Sequence, residues 1–244
     1  TLHGLLNRKV LSNPVLLMAG GLGTRLHPLT YDCPKPLLKV GDKPILELIL
    51  ESFVNSGFSR FFISTHYLPE MIREHFGDGR RWGVDIRYVH EGEPLGTAGA
   101  LGLLPQDEIT QPLFMMNGDL LTTLNYNSML DFHLAHGSAA TVCVREYEYQ
   151  VPYGVIENEG HRIVSIVEKP MQHYFVNAGI YLLEPELVRS VTPGTRIDMP
   201  TLLEHAIAGG GTVSMFPIHE YWLDIGRMED FKRAQTEIRS LLNG

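Results

Sequence analysis

Val15–Met18 is a wholly apolar run of strand length that ends on Ala19-Gly20-Gly21-Leu22-Gly23, with Thr24-Arg25 directly behind. A buried strand that opens onto side-chain-free backbone has few architectures available. It belongs inside a sheet covered on both faces, with its carboxyl end at an open edge. Apolar runs at Arg60–Thr65, Val84–Val89 and Leu113–Met116 alternate with amphipathic stretches at Lys43–Gly57, Pro69–Phe76 and Thr97–Leu104. In the first of those stretches Ile45, Leu48, Ile49 and Phe53 share one helical face. The alternation predicts βαβ units and an α/β fold whose sheet is mainly parallel, with helices on both faces.

After a helix at Asn125–His136 the pattern changes. Ala140–Arg145, Gly154–Glu157, Ile163–Glu168 and Ala178–Leu183 read as strands without long helices between them, so an antiparallel addition to the same sheet is expected. Helices follow at Pro200–Ala208 and Arg227–Leu242. The chain opens on Thr1, and its first residues are poorly patterned. Residues 1–13 are therefore expected to be the remnant of a linker to an N-terminal module, and residues 14–244 one domain.

The net charge of -8 speaks against a nucleic-acid partner. Any phosphate must be held by a local site, because the overall field repels anions. No apolar run is long enough to span a bilayer and no signal peptide is evident, so no membrane partner is expected. Cys33 and Cys143 lie far apart without metal-type spacing and read as two thiols in a reducing cytoplasm.

The glycine loop can bring backbone N–H groups close to an anion, and Arg25 adds a permanently charged fork. Gly21-Leu22-Gly23-Thr24-Arg25-Leu26 lacks the third glycine of the dinucleotide fingerprint, and no Gly-Lys-Ser/Thr follows, so it is not a P-loop either. Downstream, Lys35 is held between Pro34 and Pro36, which stiffen the segment.

Taken together, AGGLGTRLHPLTYDCPKPLLKVGDKPILE resembles the signature of the sugar-1-phosphate nucleotidyltransferases. Further motifs resemble that family in order: Glu93–Gly99, Asn117-Gly118-Asp119, Tyr153-Gly154, Glu168-Lys169-Pro170, Asn177-Ala178-Gly179 and Trp222–Gly226. The resemblance implies a Rossmann-like fold of the GT-A type with an antiparallel sugar-binding addition. It implies transfer of a nucleoside monophosphate from an NTP to a sugar-1-phosphate, with release of pyrophosphate. Nucleotide-binding residues would be Ala19, Gly20, Gly21, Gly23, Thr24, Arg25, Lys35, Glu91, Gly96, Thr97, Asn117 and Gly118. The sugar phosphate would fall to Tyr153, Gly154, Glu168, Lys169, Asn177 and Ala178. Mg²⁺ would sit on Asp119 and Asp224, and Arg25, Lys35 and Asp119 would be catalytic. A phosphate monoester has its second pKa near about 6, so the nucleophile is largely a dianion and needs no general base.

Several of these residues have plainer readings. Asp119 could cap a turn, Asp224 could pair with Arg227, and Glu168 could be a strand-end charge. His133 and His136 mimic a metal pair at helical spacing, but they lack a third ligand, and a solvated helix face is expected instead. A metal-dependent glycosyltransferase would be expected to show Asp-x-Asp, whereas Asn117-Gly118-Asp119 has a single carboxylate. A non-catalytic nucleotide-sugar sensor would have no need of the full set of cations and carboxylates.

Glu91 stands where relatives using uridine or thymidine tend to carry Gln. Its two acceptor oxygens match the adjacent N1–H and N2 donors of guanine, although a solvated turn glutamate is the competing reading. EGEPLGTAGAL resembles the mannose-1-phosphate guanylyltransferase branch, so GTP is the expected donor, with uridylyl or thymidylyl transfer as the alternative. VREYEYQVPYGVIE and FPIHEYWLDIGRMEDF resemble bacterial guanylyltransferases with paired N-terminal CBS domains, a group that includes a glucosamine-1-phosphate enzyme of legionaminic acid synthesis. Glucosamine-1-phosphate, mannose-1-phosphate and heptose phosphates all stay open, as does assembly into a homo-oligomer.

Overall fold

The structure, a computed structural model, describes residues 10–242. Most of the expected linker, residues 1–9, lies outside them, and the first strand, β1 (Leu11–Met18), begins inside the expected linker at Leu11. After the glycine loop come β2 (Lys39–Val40), β3 (Lys43–Pro44), α1 (Ile45–Asn55), β4 (Phe58–Thr65), α2 (Pro69–Phe76) and β5 (Asp85–His90). Then β6 (Leu113–Asn117), β7 (Leu120–Thr122), α3 (Tyr126–His136), β8 (Ala140–Gln150), β9 (Val155–Glu159), β10 (Arg162–Val167) and β11 (Met171–Leu183) follow. The chain closes through α4 (Pro185–Arg189), α5 (Met199–Ala208), β12 (Val213–Ile218), β13 (Trp222–Asp224) and α6 (Met228–Leu242).

Seven strands form the central sheet in the order β12-β8-β11-β6-β1-β4-β5. Strands β6, β1, β4 and β5 run parallel, and β11 lies antiparallel between β6 and β8. Alternation along each strand divides the core in two. Val15, Leu17, Phe61, Ile63, Phe114 and Met116 face α1, α2, α3 and α6. Leu16, Phe62, Leu113 and Met115 face the other way, against α4 and α5. Each interior strand is therefore apolar on both sides, which is why it reads as a continuous hydrophobic run.

Several elements differ from expectation, among them the following. Strands β9 and β10 pair only with each other, as a hairpin outside the central sheet. Residues Gly99–Leu103 form a 3-10 turn in place of the helix expected at Thr97–Leu104. Strand β12 was not foreseen, and it joins the sheet edge parallel to β8. Pro217 is tolerated there because an edge strand has one side free of ladder bonds. Both cysteines are free thiols, and burial pushes Cys143 up to about 12. Among the described residues no helix is long and apolar enough to cross a membrane.

Candidate active site

The carboxyl ends of β1 and β6 meet at one edge of the sheet, and the glycine loop starts there. The Ala19 N–H donates to the Ser64 carbonyl (3.0 Å), tying the loop to β4. Gly23 adopts φ 64°, a left-handed conformation suited to glycine, and turns the chain into Thr24–Leu26. Pro34 then leads into the turn Lys35–Leu37 and aims the Lys35 side chain inward, where the residue is only 7% exposed. Its Nζ lies 2.5 Å from Asp119 Oδ2.

Asp119 reaches that position because Gly118 allows it. The Gly118 N–H donates to the Met18 carbonyl (2.8 Å), and a side chain on Gly118 would collide with that oxygen. Asp224 arrives through a separate ladder. Strand β13 pairs antiparallel with β7, setting Asp224 opposite Leu120, and the Ile225 N–H donates to the Asp119 carbonyl (3.0 Å). Partial burial, and then the nearby Asp119 carboxylate, raise the Asp224 pKa above its ordinary value, while Lys35 and Arg25 pull it back. Two neighbouring carboxylates with hard oxygen donors, beside the Lys35 and Arg25 side chains, are a suitable seat for a divalent metal. Asp224 makes no ion pair with Arg227, whose backbone N–H instead donates to Asp230 Oδ2 (2.9 Å).

Beside this centre lies a cavity of about 300 Å³ lined by Gly20, Gly21, Glu91, Gly96, Asn117 and Gly118, among others. Glu91 is 4% exposed, so it is not a solvated turn residue. Its Oε2 accepts the Leu95 N–H (3.2 Å), and its Oε1 would lie 3.1 Å from a Cβ on Gly20. His66 was missed by the sequence reading. It lines the same cavity and its Nδ1 lies 2.7 Å from the Glu91 carbonyl oxygen. That bond fixes Nδ1 as the protonated nitrogen and leaves Nε2 available. Only the position of His66, directly after the buried Thr65 at the end of β4, hints at this.

Thr97 lines the same cavity and is also tied to α5. Its hydroxyl accepts the Met199 N–H (2.7 Å), and its own N–H donates to Asp198 Oδ1 (2.9 Å). Thr97 thus caps α5 from a distance and clamps the cavity wall, so its side chain is already engaged.

The residues expected at the sugar phosphate fall into two groups. Tyr153, Gly154, Glu168 and Lys169 gather at the base of the β9–β10 hairpin. There the Lys169 N–H donates to the Tyr153 carbonyl (3.2 Å) and Glu168 Oε2 lies 3.1 Å from a Cβ position on Gly154. Asn177 and Ala178 sit elsewhere, beside β6. Asn177 Oδ1 accepts the Gly179 N–H (2.8 Å), and the Ala178 carbonyl accepts Trp222 Nε1–H (2.9 Å). Among the described residues no hydrogen bond or ion pair joins the hairpin group to Lys35, Asp119 or Asp224. His133 is a further correction. It is fully buried, bridging Thr141 Oγ1 (2.7 Å) and Glu184 Oε1 (3.0 Å), whereas His136 is exposed as expected.

A family model described as "Nucleotidyl transferase" matches residues 14–240. The chain is 36% identical over 228 residues to the mannose-1-phosphate guanylyltransferase catalytic subunit beta of Danio rerio, covering 88% of this chain and 62% of that protein. It is 33% identical over 231 residues to the mannose-1-phosphate guanyltransferase of Neurospora crassa, covering 88% and 61%. The chain therefore spans less than two thirds of the length of the curated relatives it matches. Among solved structures, HddC from Yersinia pseudotuberculosis superposes with TM-score 0.72 at 26% identity, over 93% of this chain and 99% of that one. HddC has also been crystallised complexed with GMP-PN. A Bacillus anthracis protein described as a glucose-1-phosphate thymidylyltransferase shares the fold, with TM-score 0.74 at 22% identity, over 93% and 96%.

Proposed function

Since the chain belongs to the nucleotidyl transferase family, we propose that it transfers GMP from GTP to a hexose-1-phosphate and releases pyrophosphate. The observation that carries this reading is the convergence of Lys35, Asp119 and Asp224 at the mouth of the glycine loop, with Arg25 beside them. An oxygen of the sugar phosphate attacks the α-phosphorus, and the bond from that phosphorus to the bridging oxygen breaks. The attacking group is already ionised, so the work is positioning and charge stabilisation. Lys35, exchanging Asp119 for substrate, meets the charge growing on the α-phosphoryl oxygens. Asp119 and Asp224 would hold Mg²⁺, which when bound supplies further neutralisation of phosphoryl charge.

Guanine is favoured by the buried Glu91 carboxylate at the cavity edge. It is also favoured by the guanylyltransferase relatives and by the GMP-PN complex of HddC. For the sugar, mannose-1-phosphate stands first on the names of those relatives, with glucosamine-1-phosphate next on the stretches Val144–Glu157 and Phe216–Phe231 quoted above. A cytoplasmic setting, where GTP is plentiful, suits the reaction.

The test is a panel of four NTPs against mannose-, glucosamine-, glucose- and heptose-1-phosphates with Mg²⁺, scored by pyrophosphate release. GTP with one of these sugars should give the fastest release, and chelation should stop it. No release from any pairing would refute the reading.

A further inference from the structure

Most described arginines hold a carboxylate, as Arg60 and Arg87 hold Glu108 and Arg233 holds Glu237. Such pairing is expected in a chain with 28 acidic and 20 basic residues. Among the described residues, the side chains of Arg25 and Arg227 make no ion pair or hydrogen bond. Both line one cavity of about 740 Å³, whose wall also carries Asp224 and Gly226. Two unpaired guanidiniums beside the candidate metal carboxylates, in an acid-rich protein, point to an anion that completes them.

The order of the cavities says which part of the substrate that is. The base cavity shares Gly20, Gly21, Lys35 and Asp119 with a second cavity along the glycine loop. That second cavity shares Arg25 and Gly226 with the third, which contains Arg227. A nucleotide with its base at Glu91 and its α-phosphate at Lys35 therefore runs its distal phosphates toward Arg25 and then Arg227. Gly226 lies where the two cavities meet, its Cβ position 3.6 Å from both Arg25 Nη1 and Asp224 Oδ1. The Arg227 backbone is fixed, with its N–H on Asp230 Oδ2 (2.9 Å) and its carbonyl accepting the Phe231 N–H (3.0 Å). The side chain alone is left to reach.

We propose that Arg227 is a second guanidinium for the distal phosphates of the NTP and grips the departing pyrophosphate together with Arg25. The proposal rests on the nucleotidyl-transfer reading. When the bond between the α-phosphorus and the bridging oxygen breaks, the electron pair stays on that oxygen, and the pyrophosphate carries the added charge toward both arginines.

The reaction is run backwards, from nucleotide-sugar and pyrophosphate, with wild type, Arg227→Ala and Arg227→Lys. The alanine variant should raise KM for pyrophosphate about ten- to hundredfold, and lysine should recover part of the loss. KM for the sugar-1-phosphate in the forward direction should move less than about twofold. An unchanged pyrophosphate KM, or a rise confined to the sugar-1-phosphate, overturns the proposal. Calorimetric titration of Mg²⁺-pyrophosphate into each protein supplies a readout independent of turnover. Were the wild type inactive with every substrate pair, Arg227-dependent binding would still support the anion site while the transferase reading fell. Binding indifferent to Arg227 refutes the site whatever the activity, and melting curves check that each variant is folded.

Discussion

Lys35 and Asp119 stand 84 residues apart in the chain and 2.5 Å apart in the fold. Each is thus the other's partner until substrate arrives, and the lysine, although nearly buried, is never left as a bare charge. The pair holds the proposed phosphate grip and the candidate metal ligand in one place. Preorganisation of this kind lowers the reorganisation needed during transfer.

Replacing Asp119 by Asn separates the two uses of that carboxylate. The amide oxygen can still accept from Lys35 Nζ, so the melting temperature should fall by no more than a loss of about 1 kcal/mol implies. Turnover should fall by a factor of about 10² or more, because a negative ligand is gone. Near-normal turnover of Asp119→Asn at saturating Mg²⁺ would remove the metal assignment.

Glu91→Gln tests the choice of base. The amide oxygen can keep the Leu95 N–H, so the cavity wall should stand, while one acceptor facing the base becomes a donor. kcat/KM for GTP should fall by about one to two decades, and the gap to UTP and dTTP should narrow. A parallel loss with all three nucleotides would mean that Glu91 only shapes the loop.

Thr97→Val probes the clamp between the cavity wall and α5. Losing the acceptor for the Met199 N–H removes a helix cap worth about 0.5–2 kcal/mol, visible as a lower midpoint in urea. KM for the nucleotide should rise while kcat stays close to wild type. A fall in kcat alone would place Thr97 at the chemistry instead.

His133 gives the fold a pH dependence away from the active site. Desolvation lowers its folded pKa below the ordinary 6.5, against the opposing pull of Glu184. The unfolded chain takes up a proton near 6.5 while the folded one resists it. Stability is therefore fully present above that pH and declines as pH drops toward the folded value. Thermal melts from pH 8 to 5 should show this decline in wild type and a flatter curve in His133→Gln. Equal slopes would assign the acid sensitivity to other groups.

What could be read from the chain depended on the range of each interaction. Strand β1, its glycine loop, α1 and β6 were legible because they are local: an apolar run, a turn, an amphipathic period. Strands β7 and β13 have three residues each, too few for any period, although they carry the contact that brings Asp224 to Asp119. Burial of His133 was hidden because its partners, Thr141 and Glu184, come from other elements. The role of Thr97 was hidden likewise, since Asp198 lies about a hundred residues on. The family motifs named residues that the fold brings to one cavity, but they could not show that no hydrogen bond or ion pair links the hairpin group to Lys35, Asp119 or Asp224 among the described residues.

The β7–β13 ladder sets the spacing of the two carboxylates through main-chain groups, and such bonds form with almost any side chains on the strands. The hairpin of β9 and β10 hangs between β8 and β11 and enters none of them. Chain length can therefore vary at the hairpin without disturbing that spacing. For protein engineering, the β9–β10 hairpin is thus the place to vary the segment expected to meet the sugar phosphate: hairpins of other lengths spliced between Gln150 and Met171 should change that group while leaving the pair of aspartates as it stands.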